Sequence, residues 1–214
     1  EVFYTITKHA AVIRMKTGVK KDGTLIAREC EIHLDTGAYA EIGPRVAKKS
    51  GYTAAGPYKI PNLKIDSYSV YTNKPPAGAF RGFGVSQSAW AVESQMDIIA
   101  AALKMDPVEL RKQNGYNEGD KFVTEETLRA IGLKECIDEV AKSIGWETRD
   151  RERDFNDRSR GVLPYAHPVQ VSLPDNIRRG KGLACMIKAT ITPSISCAVV
   201  KLNEDDTRTL QRDG

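Results

Sequence analysis

The residues best suited to do chemistry lie in one short run, Phe80-Arg81-Gly82-Phe83-Gly84. Glycines at 82 and 84 permit positive φ and let a ligand approach the backbone closely. A helix expected to begin just beyond them would bring its amides at 85–88, and the positive end of its dipole, to the same point, which suits an anion. Arg81 adds a fixed charge on a planar donor fork. Phe80 and Phe83 can wall a flat apolar pocket. The same spacing also fits a plainer arrangement, a tight strand-to-helix turn whose phenylalanines fill the core and whose arginine pairs with a carboxylate. The run is not a P-loop, because no Gly-Lys-Ser/Thr follows. Nor is it the Rossmann pattern, because the third glycine is lacking.

Other reactive side chains are scattered. Cys30, Cys136, Cys185 and Cys197 contain no CxxC pair, so no compact zinc or iron–sulfur spacing exists. Each sits among apolar neighbours and is expected to be a small buried hydrophobe. His9, His33 and His167 do not cluster in sequence. His33 alternates onto the polar side of a strand, and His167 precedes a proline in a loop.

Several elements must hold the glycine-rich run in place. Residues 10–17 and 25–35 read as strands joined by Asp22-Gly23, a strong hairpin signal. In the second strand Ile26, Cys30, Ile32 and Leu34 alternate with Glu29, Glu31, His33 and Asp35, as a half-buried antiparallel strand with one wet face would. Residues 37–62 are rich in glycine and proline and read as loop with local turns. Residues 63–72 alternate again as a strand leading into Pro75-Pro76 and the turn. A helix should follow, with Ser86 as N-cap and Ala89, Val92, Met96, Ile99, Ala100 and Leu103 on one stripe. Asp106-Pro107 opens a second helix that ends at Asn114-Gly115. A third is expected near 133–144, with Leu133, Cys136, Ile137, Val140, Ala141 and Ile144 as its stripe and Gly145 as its stop. Residues 147–160 mix charges around one large apolar residue, Phe155, and cannot bury a face. A proline-broken strap follows at 161–174. Final strands are expected at 181–191 and 196–203, with a turn at 203–206. The class these imply is α+β, with mixed, largely antiparallel sheets and packed helices.

Composition excludes more than it assigns. The 214 residues carry 32 Lys or Arg and 28 Asp or Glu, a net charge of +4. So small an excess gives no warrant for nucleic acid or an anionic membrane as partner. No run of 18 apolar residues exists, which rules out an ordinary transmembrane helix.

Ala79-Phe80-Arg81-Gly82-Phe83-Gly84-Val85-Ser86-Gln87 resembles the Ala-Phe-Arg-Gly-Phe-Gly-x-Pro-Gln motif of the molybdenum hydroxylases, the xanthine dehydrogenase/aldehyde oxidoreductase family. Further stretches are similar in the same order: Lys16-Thr17-Gly18, Asp35-Thr36-Gly37-Ala38-Tyr39, Pro57 to Asn62, Asp106-Pro107 to Asn114, and Arg179 to Cys185. The resemblance covers residues 1–146 and 178–204, and not 147–177. It implies three parts: 1–146 as a portion of a first molybdenum-cofactor-binding subdomain, 147–177 as a charged linker and strap, and 178–214 as the start of a second.

The family's chemistry is hydroxylation of an electron-poor carbon, with water as the oxygen source. By resemblance, Phe80, Arg81 and Gly82 would bind a molybdenum–molybdopterin cofactor, for which the cytosine dinucleotide form is one option. Phe83 would meet the substrate ring edge-on, and Lys49 and Thr190 would line the substrate pocket. No residue would ligate the metal directly. The 2Fe-2S and FAD groups would sit on partner domains or subunits. The remainder of the molybdopterin subunit and a small-molecule substrate would complete the partners, with a cytoplasmic location. Ser86 stands where the family has proline. A late catalytic glutamate and the Gly-Gln-Gly and Gly-Gly-Phe-Gly pterin loops have no counterpart in 1–214. The chain is therefore expected to be a fragment, inactive alone. The alternative is a non-catalytic structural or assembly module on the same scaffold.

Overall fold

Asp22-Gly23 reverses the chain as its sequence predicts. In the computed structural model, which describes residues 6–146, 181–188, 198–202 and 208–212, β1 (Ala11–Val19) and β2 (Leu25–Gly37) pair antiparallel around it. Gly23 takes φ 89° and donates its amide to the Lys20 carbonyl, while the Asp22 carboxylate accepts the Thr24 amide. Cys30, Ile32 and Leu34 face the core as expected. Ile26 does not. The register shifts by one residue beside Gly18 and Val19, so Leu25 turns inward and Ile26 lies exposed. A bulge moves one position across the sheet, which alternation alone cannot reveal.

β3 (Asn62–Tyr71) lies beside β2, and this pairing is parallel. Parallel neighbours need a crossover that returns the chain to the starting end. Residues 37–62 supply it with a helix, α1 (Gly43–Thr53), where loop was expected. Pro44 sits in its first turn, and Val46, Ala47, Ser50 and Thr53 form its buried side. These side chains are small, so the helix lies close to the sheet and to the helix that follows.

That next helix, α2 (Val85–Leu103), begins one residue before the expected Ser86 cap. Gly84, left-handed at φ 87°, ends the turn, and no side chain caps the helix. A Cβ on Gly84 would lie 2.6 Å from the Val46 carbonyl and about as close to Ser50 as atoms pack. The close approach to α1 thus explains the glycine better than turn geometry alone. The buried stripe is Val85, Ser88, Val92, Met96 and Ala100, with Glu93 beside it.

α3 (Pro107–Asn114) follows the sequence closely. Asp106 accepts from the amides of Val108 and Glu109, and Pro107 fills the first turn. Asn114 accepts from the Leu25 amide and donates to the Gly23 carbonyl, which pins this helix to the hairpin. α4 (Leu133–Ser143) buries only Ile137 fully, and Cys136 and Val140 lie exposed on it. Cys136 therefore departs from the expected buried thiols, whereas Cys30 and Cys185 fit them. Burial pushes both of those thiols up to about 11.

Residues 181–188 form no strand, contrary to expectation. The Cys185 amide donates to the Glu93 carboxylate instead of to a neighbouring strand. β4 (Ala198–Leu202) and β5 (Arg208–Arg212) make a separate antiparallel pair, with Leu202 opposite Arg208. The linker and strap at 147–177 lie outside the described residues, as do Cys197 and His167. The class is α+β, with a mixed three-stranded sheet and helices packed on it.

Candidate functional site

Backbone bonds on both flanks hold the Phe80–Gly84 turn. The Ala77 amide donates to Thr36, the Gly78 amide to Thr7, and Ala38 donates back to Lys74. A Cβ on Gly37 would strike the Pro75 carbonyl, so β2 ends in close contact with the Pro-Pro break. From α2, the Gln87 side chain donates to the His9 carbonyl. His9 is itself buried beneath the turn, its Nε2 facing the Thr36 hydroxyl at 3.5 Å. Burial holds its pKa below the ordinary value, against the opposing pull of the Gly78 carbonyl, Asp35 and Glu41.

Within the turn, Gly82, Phe83 and Gly84 all take positive φ, at 100°, 49° and 87°. The Phe83 amide donates to Phe80 and the Val85 amide to Gly82. The amides of Phe80, Arg81, Gly82 and Gly84 donate to no protein acceptor among the described residues. Phe83 is half-buried and packs on the cluster around Cys30, Ile32, Leu34 and Val46. Phe80 is 53 % exposed, with the Lys8 ammonium 5.5 Å above its ring. Arg81 is exposed and forms no salt bridge among the described residues. The plainer arrangement therefore holds for Phe83 alone. Phe80, Arg81 and the free amides are not used up by the fold. Together they form a surface of unspent donors and one aromatic face, which fits an anionic, oxygen-rich group such as a pterin cofactor bearing phosphate.

Lys49 lies on α1, half-buried, and the Thr53 hydroxyl donates to its carbonyl. Gly84 rests against the same helix, so Lys49 and the turn belong to adjoining elements. Thr190 lies outside the described residues. No group of three or more His, Cys, Asp or Glu side chains able to hold a metal occurs among the described residues. A cleft of about 620 Å³ opens elsewhere, between β3 and the loop at 116–125, with Ile60, Leu63, Tyr116 and Phe122 in its wall. Its lysines are spent, Lys59 on Asp120 and Lys121 on Glu125.

Two buried polar centres, around Glu93 and Arg28, tie the scaffold together away from the turn. Glu93, 6 % exposed, accepts from Arg111 Nε at 2.8 Å, from the Tyr58 hydroxyl at 2.6 Å and from the Cys185 amide at 2.8 Å. Burial and the Glu93 charge together push the Tyr58 hydroxyl up. Burial opposes the charge on Arg111, but Glu93, Tyr58 and Asp97 outweigh it and raise its pKa. Arg28 is also buried. It donates to the carbonyls of Ala54 and Ala55 at the end of α1 and to Thr17. A cation there meets the negative end of the helix dipole. The sequence carries one trace of these centres: a charged residue on an otherwise apolar face, Glu93 beside Val92 and Met96, and Arg28 in phase with Cys30 and Ile32.

A mixed sheet with a helical crossover, ending in a glycine turn at the start of a long helix, makes this a domain of α+β class. Residues 1–115 match the molybdopterin cofactor-binding domain. The chain belongs to that family. It is 43 % identical over 134 residues to the nicotinate dehydrogenase large molybdopterin subunit of Eubacterium barkeri, a match covering 62 % of this chain and 32 % of that one. It is 34 % identical over 212 residues to the xanthine dehydrogenase molybdenum-binding subunit of Escherichia coli O157:H7, covering 97 % of this chain and 26 % of that one. Among solved structures it resembles the aldehyde oxidoreductase of Desulfovibrio gigas. The TM-score is 0.63 at 35 % identity, over 66 % of this chain and 16 % of that one. The chain thus spans a third or less of the length of these relatives. No helix among the described residues is long and apolar enough to cross a membrane.

Proposed function

We propose that this chain forms one wall of the active site in a molybdenum hydroxylase that oxidises a heterocycle or aldehyde carbon with oxygen from water. The observation that carries this reading is the set of unspent groups at Phe80–Gly84. Four amides and one guanidinium have no protein partner among the described residues, and the Phe80 ring beside them is half exposed beneath Lys8, in a chain of a cofactor-binding family.

In this reading the turn holds the molybdenum–molybdopterin cofactor, with the amides of Phe80, Arg81 and Gly82 as donors and the Phe80 ring as a packing face. The cofactor, when bound, supplies the two-electron redox centre. The protein's part is to bind, to orient and to exclude water. Phe83 presents its edge from the core side toward the substrate ring. Lys49 on α1 and Thr190 complete the pocket. The cytosine dinucleotide form of the cofactor is one option, the shorter form the other. 2Fe-2S and FAD groups on partner domains or subunits would take up the electrons, and the remainder of the molybdopterin subunit would supply the catalytic base. This chain does not turn over alone, and the complex works in the cytoplasm. The relatives named above support a substrate among aldehydes, purines and pyridine carboxylic acids.

The test is oxygen-18 labelling of the assembled enzyme, with this chain co-expressed with the remaining subunits. Product formed in labelled water should carry the label. Label taken from labelled dioxygen instead would overturn the reading.

A further inference from the structure

His9 lies buried beneath the Phe80–Gly84 turn, 3 % exposed. A polar ring so placed costs stability unless its neighbours use it. Its neighbours are the two limbs of the turn. On the entering limb, the Gly78 carbonyl faces the ring, and the Gly78 amide donates to the carbonyl of Thr7. On the leaving limb, Gln87 in the first turn of α2 donates from Nε2 to the His9 carbonyl at 3.0 Å. A third contact reaches the scaffold. His9 Nε2 faces the Thr36 hydroxyl, near the end of β2, at 3.5 Å. A Cβ on Gly43 would strike that hydroxyl and come within 3.3 Å of His9 Nε2, so the start of α1 presses on the same pair.

One residue thus joins both limbs of the turn, the end of β2 and the start of α1. Backbone pairing agrees with this: Thr7 bridges to Ala77, and the Asp35 amide donates to Ala10. The free amides of Phe80, Arg81 and Gly82 have no protein acceptor to fix them, so the limbs on either side must do so. The charged groups around the ring are few. Asp35 comes from β2 and is held by Lys74 and Thr72. Glu41 precedes α1 and accepts from the Ile42 amide. Lys8, the adjacent residue, lies over Phe80. From α1 the neighbour is Gly43 and from α2 it is Gln87, both uncharged. Burial outweighs the pull of the two acids, so the ring is neutral at neutral pH. A second proton would leave a buried cation between acids that already have partners. Parting the limbs to admit water relieves it, so acid favours the parted state.

We propose that His9 is the positioning residue of the cofactor turn: its neutral ring and its carbonyl clamp the two limbs, holding the free amides of Phe80, Arg81 and Gly82 in place for the cofactor, and a second proton on the ring releases the clamp and the cofactor with it. This rests on the hydroxylase reading above and adds to it a residue that never touches the cofactor.

Cofactor retention in the assembled enzyme tests it without any turnover. The enzyme is held at about pH 7.5 and at about pH 5, and molybdenum and pterin that stay with the protein on gel filtration are followed over time. The wild type should lose both at least about threefold faster at the lower pH. His9→Gln removes the titrating group, so its two rates should agree within about 1.5-fold. Gln87→Leu frees the leaving limb while the ring still titrates. It should speed the loss by about two- to fivefold at both pH values and keep the wild-type ratio between them. Circular dichroism at both pH values confirms that each protein is folded. Should His9→Gln not fold, the wild-type ratio and the Gln87→Leu rates decide the matter. A histidine that only fills the core would shift the unfolding midpoint and leave the ratio alone. Equal loss at both pH values in the wild type, an unchanged ratio in His9→Gln, or wild-type retention in Gln87→Leu would overturn the proposal. An assembled wild type that holds no molybdenum at either pH would instead overturn the hydroxylase reading and the clamp with it, so the two failures are told apart.

Discussion

The Phe83 amide donates to the Phe80 carbonyl across 2.8 Å, and this bond turns the two rings to opposite environments. Phe83, left-handed at φ 49°, drops its ring onto the sheet core, while Phe80 stays exposed beneath Lys8. A bulky residue at positive φ is strained, and packing must over-determine it. Here the glycines on either side and the core contact of the ring do so. The turn is thus a fixed platform with one face anchored and one face free.

The platform should depend unequally on its two glycines. Gly84→Ala places a Cβ 2.6 Å from the Val46 carbonyl, which is backbone and cannot yield, at φ 87°. It should cost about 2–4 kcal/mol. Gly82→Ala meets only the Ser86 hydroxyl at 3.0 Å, which can rotate away, so the cost should stay near 1–2 kcal/mol for the φ alone. Urea denaturation of the two variants measures the difference. Equal losses would show that the approach of α1 to the turn does not matter.

Glu93 should be the most sensitive buried polar residue. Glu93→Gln removes the buried countercharge of Arg111 and leaves it only the half-exposed Asp97 carboxylate, a loss of about 2–4 kcal/mol. Tyr58→Phe removes one donor from a carboxylate that keeps two others, and should cost about 1–3 kcal/mol. Denaturation midpoints at constant slope check both. A loss below about 1 kcal/mol for Glu93→Gln would contradict the account.

His9 should make stability fall in mild acid. Its folded pKa lies below the ordinary 6.5, so the unfolded chain takes up the proton first as pH drops. The His9 contribution is fully present above about 6.5 and is lost as pH falls through the lower folded value. His9→Gln should flatten the change in stability between about pH 7.5 and about pH 5.5. An unchanged pH profile in that variant would show that another group controls it.

Much of the scaffold was legible because local chemistry decides it. Asp22-Gly23 fixes a hairpin and Asp106-Pro107 fixes a helix start, whatever lies around them. α1 was not legible. Its buried side is built from Gly43, Val46, Ala47, Ser50 and Thr53, too small and too polar to stand out as a stripe, and glycine and proline surround it. What demands the helix is the parallel pairing of β2 with β3, a tertiary fact. The site was half legible. Gly82 and Gly84 announce a backbone that a ligand can approach, but the sequence does not say that Arg81 lacks a carboxylate or that Phe83 faces the core. Glu93 and Arg28 hid in apolar stripes because their partners come from segments distant in sequence.

The central claim is that the Phe80–Gly84 turn holds the molybdenum cofactor. The most direct measurement is the molybdenum and pterin content of the assembled enzyme with Arg81→Ala or Phe83→Ala in this chain, beside its turnover. The account predicts a lowered cofactor content for Arg81→Ala and a fall in turnover of at least about tenfold for both. Wild-type molybdenum, pterin and turnover in both variants would contradict it.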